Sequence, residues 1–268
     1  MPEHRVVSRE EWLTARKALL QKEKEATHLR DALNAERLAL PWEKVEKTYT
    51  FDTPKGKQTL ADLFDGRSQL LVYHFMLGPG WDAGCQGCSF LSDHLDGTLP
   101  HLEHHDVTLV AVARAPLAEI QAYQKRMGWH FPWYSSFGSD FNYDYHVSFT
   151  PEVLRAGTAS YNFESIPAKA DAKESERPGL SAFYKDETGQ IYHTYSSYGR
   201  GHEELIGTLM ILDRAPKGRN EQRAMDFVRR HDEYDDKARS GTADSTKRQE
   251  SARSLVQPER SREAPAAQ

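Results

Sequence analysis

Leu70-Leu71-Val72-Tyr73-His74-Phe75-Met76, followed after a short loop by Gly84-Cys85-Gln86-Gly87-Cys88-Ser89-Phe90, decides how this chain is read. A continuous apolar run of this length is a strand covered on both faces, as in a parallel sheet. The segment behind it opens a helix, on which cysteines three apart place both sulfurs on one face, within reach of a disulfide. Cys85 and Cys88 are the only two cysteines in 268 residues. Unpaired amides at a helix N-terminus stabilise a nearby thiolate, and the thiolate is the attacking species in disulfide exchange. Chain order therefore makes Cys85 the expected nucleophile and Cys88 the thiol that resolves the mixed disulfide.

Two other readings compete. Free cysteines are common as inert core residues. A metal site would take Cys85 and Cys88 with His94 and His104, since zinc accepts two thiolates and two imidazoles in a tetrahedron. Against it, five residues between Cys88 and His94 is not a usual finger spacing. His101 to His105 also stand just before the apolar run Val107 to Val112, where a surface loop is expected. The redox reading is preferred, and it needs no cofactor.

Upstream, Ser8 with Glu11 reads as a capping box opening a helix from Arg9 to about Leu38, with Trp12, Leu19, Leu29 and Leu33 at near-helical spacing among charged residues. Such a helix either packs across the main domain, the default, or pairs with a second chain. Pro41 ends it. Lys47 to Phe51 alternates as a strand, Thr53 to Gly56 is a turn, and Thr59 to Phe64 a short capped helix. Downstream, Asp106 to Ala113 is a second buried strand and Pro116 to Met127 a helix. Leu180 to Lys185 and Gln190 to Tyr195 form a hairpin about Asp186 to Gly189, and a helix from about Gly201 to Leu212 closes the domain.

A βαβα unit followed by an antiparallel hairpin and a helix is the element order of the thioredoxin fold, an α/β class with a central mixed sheet flanked by helices. The expected organisation is a helical extension over 1–42, a thioredoxin-like domain over 43–214, a short charged helix within 215–236 and a disordered tail over 237–268. In that tail Leu255 and Val256 are the only large aliphatic residues, too few for a core.

The resemblance then becomes specific. Tyr49-Thr50-Phe51, Thr53 to Gly56, Leu60 to Phe64 and Gln69 to Met76 look like the opening of the peroxiredoxin-like branch of the thioredoxin fold. Tyr73-His74-Phe75-Met76, Gly84-Cys85 with Cys88-Ser89-Phe90, Arg114-Ala115-Pro116 and Arg126-Met127-Gly128-Trp129 carry a nearer likeness. It continues through Asp140 to Asp144, Gly179-Leu180-Ser181, His193-Thr194-Tyr195 and Gly218-Arg219. Over about residues 7 to 236 the chain resembles the bacterial thioredoxin-like family of domain of unknown function 899. The resemblance implies the thioredoxin fold with the cysteine pair at its active-site position.

Departures from thioredoxins matter too. Trp81 stands four residues before Cys85 rather than immediately before it, and Leu180 or Ser181 falls where a cis-proline would face the cysteines. Residues 129–161 are dense in aromatics interleaved with Asp140, Asn142, Asp144 and His146. They read as a packed layer over one sheet edge or as a substrate wall beside the cysteines. Candidate auxiliary residues are Trp81, His74, Ser89 and Arg126. His74 shares a strand face with Val72 and Met76 and reads as a core histidine or a proton carrier near the sulfurs. Ser89 is placed to donate to a sulfur. Arg126 and Arg114 read as salt-bridge partners or thiolate stabilisers. Asp93 and His94 are expected to face solvent.

A formal charge of −5 without a basic stripe argues against nucleic acid. The longest apolar run is too short to span a membrane, and residues 1–40 are too charged for a secretory signal. The expected location is cytoplasmic, where cysteines rest mostly reduced and serve catalysis or metal binding. Phosphate-loop, dinucleotide, zincin and serine-hydrolase motifs do not occur. The expected partners are a disulfide or peroxide substrate and a thiol reductant, with a homodimer through the N-terminal helix as a further expectation.

Overall fold

The two apolar runs become neighbouring central strands, because the middle of a sheet is covered on both faces and needs no polar alternation. The computed structural model describes residues 4–171, 173 and 175–234. α1 (Arg9–Leu38) leads into β1 (Glu43–Lys44), the hairpin β2 (Thr50–Thr53) and β3 (Gly56–Thr59), and β4 (Gln69–His74). Then follow α2 (Gln86–Ser92), α3 (Leu99–His104), β5 (Val107–Ala113) and α4 (Leu117–Met127). The aromatic segment holds β6 (Trp133–Ser135), α5 (Phe141–Asp144), β7 (Ser148–Phe149), α6 (Pro151–Ala156), β8 (Ser160–Tyr161) and β9 (Glu164–Ser165). β10 (Ser175–Glu176), the hairpin β11 (Gly179–Lys185) and β12 (Ile191–Tyr198), and α7 (Gly207–Leu212) complete the order.

The main sheet has eight strands in the order β1-β12-β11-β4-β5-β6-β2-β3. β4, β5 and β6 run parallel, with Val72 opposite Val110 and Val112 opposite Tyr134. β11 runs antiparallel to β4 with Leu180 opposite Tyr73, so a mixed sheet results. Alternation splits the core into two layers. Tyr73, Phe75, Leu109, Ala111 and Trp133 face the helices that carry Cys88, Ile120 and Leu209. Leu70, Val72, Val110, Val112 and Phe183 face the opposite side with Phe51, Phe64 and Phe141.

Several expectations change. Ser8 caps α1 as the sequence indicates, its side chain accepting from the Glu11 amide while Glu11 accepts from the Ser8 amide. Yet none of the residues of α1 is buried, so the helix does not pack across the domain. The helix expected from 201 to 212 is broken: a 3-10 segment, Gly199–Leu205, precedes α7, and the non-helical backbone of Ile206 (φ −91°, ψ 84°) separates them. Of the charged helix expected within 215–236, the described part is a run of turns and bends up to residue 230 followed by a 3-10 turn, His231–Glu233, because Asn220 and Met225 adopt left-handed backbone (φ 47° and 61°), which an α-helix cannot contain. The tail expected over 237–268 lies outside the described residues. The aromatic segment is not an edge layer alone. Trp133 joins the sheet through β6, Trp129 and Phe131 pack in the layer of Cys88, and Phe141 and Tyr145 pack in the other. Among the described residues no helix is long and apolar enough to cross a membrane.

Candidate active site

The chain leaves β4 through a loop that is hydrogen-bonded at both ends. The Cys85 amide donates to the Met76 carbonyl at 3.1 Å, and the Ala115 amide donates to the Leu77 carbonyl at 2.9 Å. These bonds anchor the start of α2 over the carboxyl ends of the central strands, where α/β sheets present ligand sites. Cys85 is the N-cap of α2, in extended conformation (φ −55°, ψ 136°), and its carbonyl accepts the first helical bond, from the Ser89 amide at 2.9 Å. Its side chain is part-exposed while Cys88 is buried, and both thiols are free.

Their environments push the two thiols apart. The Cys88 thiol donates to the Cys85 sulfur, and the amides of Cys88 and Gly87 point at it as well. With the Arg230 charge nearby, these outweigh partial burial and bring the Cys85 pKa down to about 6. Cys88 moves the other way. Burial raises it well above the ordinary thiol value, and its bond to Cys85 adds to the effect, opposed by the Tyr73 hydroxyl and the Met76 amide. Drawn down to about 6, Cys85 is the one of the two thiols poised to ionise at neutral pH.

A second network holds the backbone around Cys85. Arg230 donates from Nε and Nη2 to the Gly84 carbonyl at 3.0 and 2.6 Å. Ser89 Oγ donates to the Cys85 carbonyl at 2.8 Å and meets the Tyr123 hydroxyl at 2.9 Å. Tyr123 is in turn hydrogen-bonded to Arg230, so one chain of groups grips the carbonyls of both Gly84 and Cys85. The segment before Arg230 closes over the same helix. Met225 Cε lies within 3.4 Å of where a Gly87 Cβ would stand, Val228 is buried, and Phe227 meets Phe90 edge-on at 6.2 Å.

The candidate residues fall as follows. His74 is fully buried on the face away from the sulfurs, stacked on Phe141 and Tyr145, with Nε2 2.8 Å from Ser181 Oγ. Burial lowers its pKa to about 3, so it is a neutral core histidine and not a proton carrier for the cysteines. Ser89 serves the Cys85 carbonyl and not a sulfur. Trp81 ends a turn with its amide on the Gly78 carbonyl, its indole lying back over Gly78 and 39% exposed. Arg126 lies over the Tyr123 ring at 5.6 Å, one contact removed from Ser89. Arg114 is buried against Glu176 at 2.9 Å.

The zinc set is not assembled. His94 Nδ1 lies 2.8 Å from the Phe90 carbonyl, and Nε2 accepts from the Thr208 amide at 3.1 Å, capping the start of α7. His94 is thus a half-buried structural group and does not simply face solvent. His104 is exposed at the end of α3 beside His105. Among the described residues no three His, Cys, Asp or Glu side chains are grouped to hold a metal. Asp93 is likewise engaged, accepting from Trp129 Nε1 at 2.8 Å. Within the aromatic segment Trp129, Phe131 and Trp133 are buried in the core, whereas Tyr161 is half-buried and lies close enough to Cys88 to feel its charge.

Tyr73, Tyr123 and Arg230 were missed. Tyr73 had a signal: if His74 points to one face, its neighbour points to the other, where α2 packs. For Arg230 there was none, because it reaches Gly84 across 146 residues from a segment without periodicity.

Replacing Arg230 with Gln removes a positive charge beside the sulfur and loosens the Gly84 carbonyl. The midpoint of the pH dependence of Cys85 alkylation then moves upward from about 6. An unchanged midpoint would show that the charge does not act on the thiolate. The lowered pKa also couples to folding. The thiolate contribution to stability is complete above the unfolded value near 9, shrinks as pH falls, and is gone below about 6.

A mixed sheet with a cysteine pair opening the helix behind the first central strand defines a protein of the thioredoxin fold. The chain matches, over residues 1–234, the model of the family described as bacterial protein of unknown function (DUF899), and it belongs to that family. No curated protein matches it. It is similar to solved structures at low identity. A cysteine mutant of Xylella fastidiosa PrxQ shares 14% identity, with TM-score 0.38 over 61% of this chain and 88% of that one. Xanthomonas campestris peroxiredoxin Q shares 12%, with TM-score 0.41 over 65% and 97%. A putative protein disulfide isomerase from Bacteroides thetaiotaomicron shares 18%, with TM-score 0.34 over 68% and 94%.

Proposed function

We propose that this protein is a thiol-disulfide oxidoreductase in which Cys85 attacks and Cys88 resolves. The observation that carries this is the opposed displacement of two neighbouring thiols: a part-exposed Cys85 drawn down to about 6 and a buried Cys88 held protonated beside it. Groups whose environments separate their pKa values mark a division of roles. An inert core cysteine would be buried and raised, as Cys88 alone would be.

The Cys85 thiolate attacks one sulfur of a substrate disulfide. The substrate S–S bond breaks, a Cys85 mixed disulfide forms, and the departing thiolate takes a proton from solvent. With Cys85 no longer negative, Cys88 loses the acceptor for its proton and releases it to solvent. Tyr73 and the Met76 amide stabilise the resulting thiolate. Its attack on the Cys85 sulfur expels the second substrate thiolate and leaves the Cys85–Cys88 disulfide, so two electrons have passed to the substrate. An external thiol reductant restores the dithiol. Peroxide reduction is the narrower form. There Cys85 attacks a peroxide oxygen, the O–O bond breaks and releases an alcohol or water, and Cys88 displaces water from the sulfenic acid.

The test is the reduction potential of the pair, measured by equilibrating the full chain in glutathione or dithiothreitol buffers and trapping free thiols. A reversible two-electron couple between about −120 and −270 mV is expected, the range of exchange catalysts. Failure to form an intramolecular disulfide at any poise would overturn the reading.

A further inference from the structure

We propose that α1 is a dimerisation helix that forms a parallel two-stranded coiled coil with a second copy of this chain. The helix is 30 residues long with none buried, about 45 Å at 1.5 Å per residue. Among the described residues, its links to the rest of the chain lie near its C-terminal end, where Arg30 reaches Glu204 at 3.5 Å and Arg37 lies over the Tyr195 ring at 5.0 Å. A helix standing largely alone in water is marginal, and most helical stability comes from packing an apolar face.

That face is present. Trp12, Leu19, Ala26 and Leu33 recur every seven residues, and Ala15 and Leu29 stand three residues after the first and third of them. These are the a and d positions of a heptad pattern, interrupted at d by Lys22 and Glu36. Trp12, Leu19, Leu29 and Leu33 are 53%, 52%, 62% and 48% exposed. Such a stripe of large apolar groups calls for an occupant.

The flanking charges select a second copy, and they select its direction. In a parallel pair each g residue meets the e residue five positions later on the partner. Glu11 then meets Arg16 and Glu25 meets Arg30, while Ala18 and Ala32 at the remaining g positions introduce no like charges. Both strands contribute, so each opposite-charge contact occurs twice. In an antiparallel pair centred on the helix, e positions meet e positions, which sets Arg16 against Arg30 and Glu23 against Glu23. The Arg30–Glu204 pair is exposed on both sides, so exchanging it for an interchain contact costs little.

The experiment is sedimentation equilibrium on the full chain. Wild type is expected at twice the chain mass. Leu19→Glu with Leu33→Glu is expected as a monomer with its unfolding midpoint retained, since both side chains are exposed in the single chain. Glu25→Arg alone and Arg30→Glu alone each place like charges across the seam and weaken the dimer about tenfold. Their equimolar mixture regains wild-type affinity, because both contacts between positions 25 and 30 in the mixed dimer are again between opposite charges. A monomeric wild type, including one that binds anionic vesicles, overturns the proposal. A dimer indifferent to Leu19→Glu with Leu33→Glu, or a mixture without recovery, does the same.

Discussion

Cys85→Ser protein is expected to fold as the wild type does and to turn over no disulfide substrate. Serine keeps the helix start intact, because its oxygen is a favoured N-cap acceptor for the same amides that now face the sulfur. The stability change is therefore expected to stay within about 1 kcal/mol by urea unfolding. Chemistry does not survive, since a serine hydroxyl at neutral pH has neither the negative charge nor the polarisability of a thiolate. Cys88→Ser separates the two roles. Its Cys85 still attacks, but no second thiol displaces the product, so a mixed disulfide with the substrate accumulates and is detected by mass. The bond from the Cys88 thiol is the first cause of the low Cys85 pKa. A serine hydroxyl in that place is a different donor, so the rate of the first attack is measured as well. Undiminished turnover by Cys85→Ser would sink the mechanism.

The second large effect is one of packing. Gly84→Ala introduces a Cβ that would lie 2.5 Å from Phe75 Cε1 and 2.8 Å from Tyr123 Cε1, closer than real carbon atoms approach. Neither ring has room to retreat. Phe75 is fully buried with its centroid 4.4 Å from that of Trp133, and Tyr123 is tied to Ser89 through its hydroxyl. Overpacking of this kind costs about 1–3 kcal/mol, and each kcal/mol lowers the unfolding midpoint by roughly 2–4 °C in a unit of this size. The strain falls on the residue before Cys85, whose carbonyl Arg230 holds, so the alkylation rate at neutral pH falls too. Gly87→Ala is the control. Its Cβ would meet the flexible end of Met225 at 3.4 Å and the Cys85 sulfur at 3.9 Å, both ordinary contacts. A Gly84→Ala protein as stable as the Gly87→Ala protein would show that the loop before α2 yields freely. The same crowding leaves no room at position 84 for the tryptophan that precedes the first cysteine in thioredoxins.

The central strands, the cysteine helix and the hairpin were legible because each is written in neighbouring residues. Continuous apolar runs mark β4 and β5, Ser8 and Glu11 mark the start of α1, and turn residues mark the hairpin. Where the sequence reading failed, the deciding contact was long-range. Residues 215–230 carry enough charge and length for a helix, but left-handed Asn220 and Met225 break it so that Val228 and Arg230 can reach α2. α1 has the right pattern for packing, but whether a surface lies opposite it is not a local property.

The candidate site divides along the same line. Spacing was enough to set Cys85 and Cys88 beside each other at the start of α2, since helical geometry relates residues three apart wherever the helix lies. It was not enough to decide which of Tyr73 and His74 faces the sulfurs. That depends on which side of β4 the helix α2 packs, and the answer is Tyr73. Nor could it show that His94 caps α7 instead of binding metal, or that Arg230 holds the Gly84 carbonyl. A polar group's partner is whichever group the fold brings within about 3 Å, and only the tertiary structure sets that distance for residues far apart in the chain.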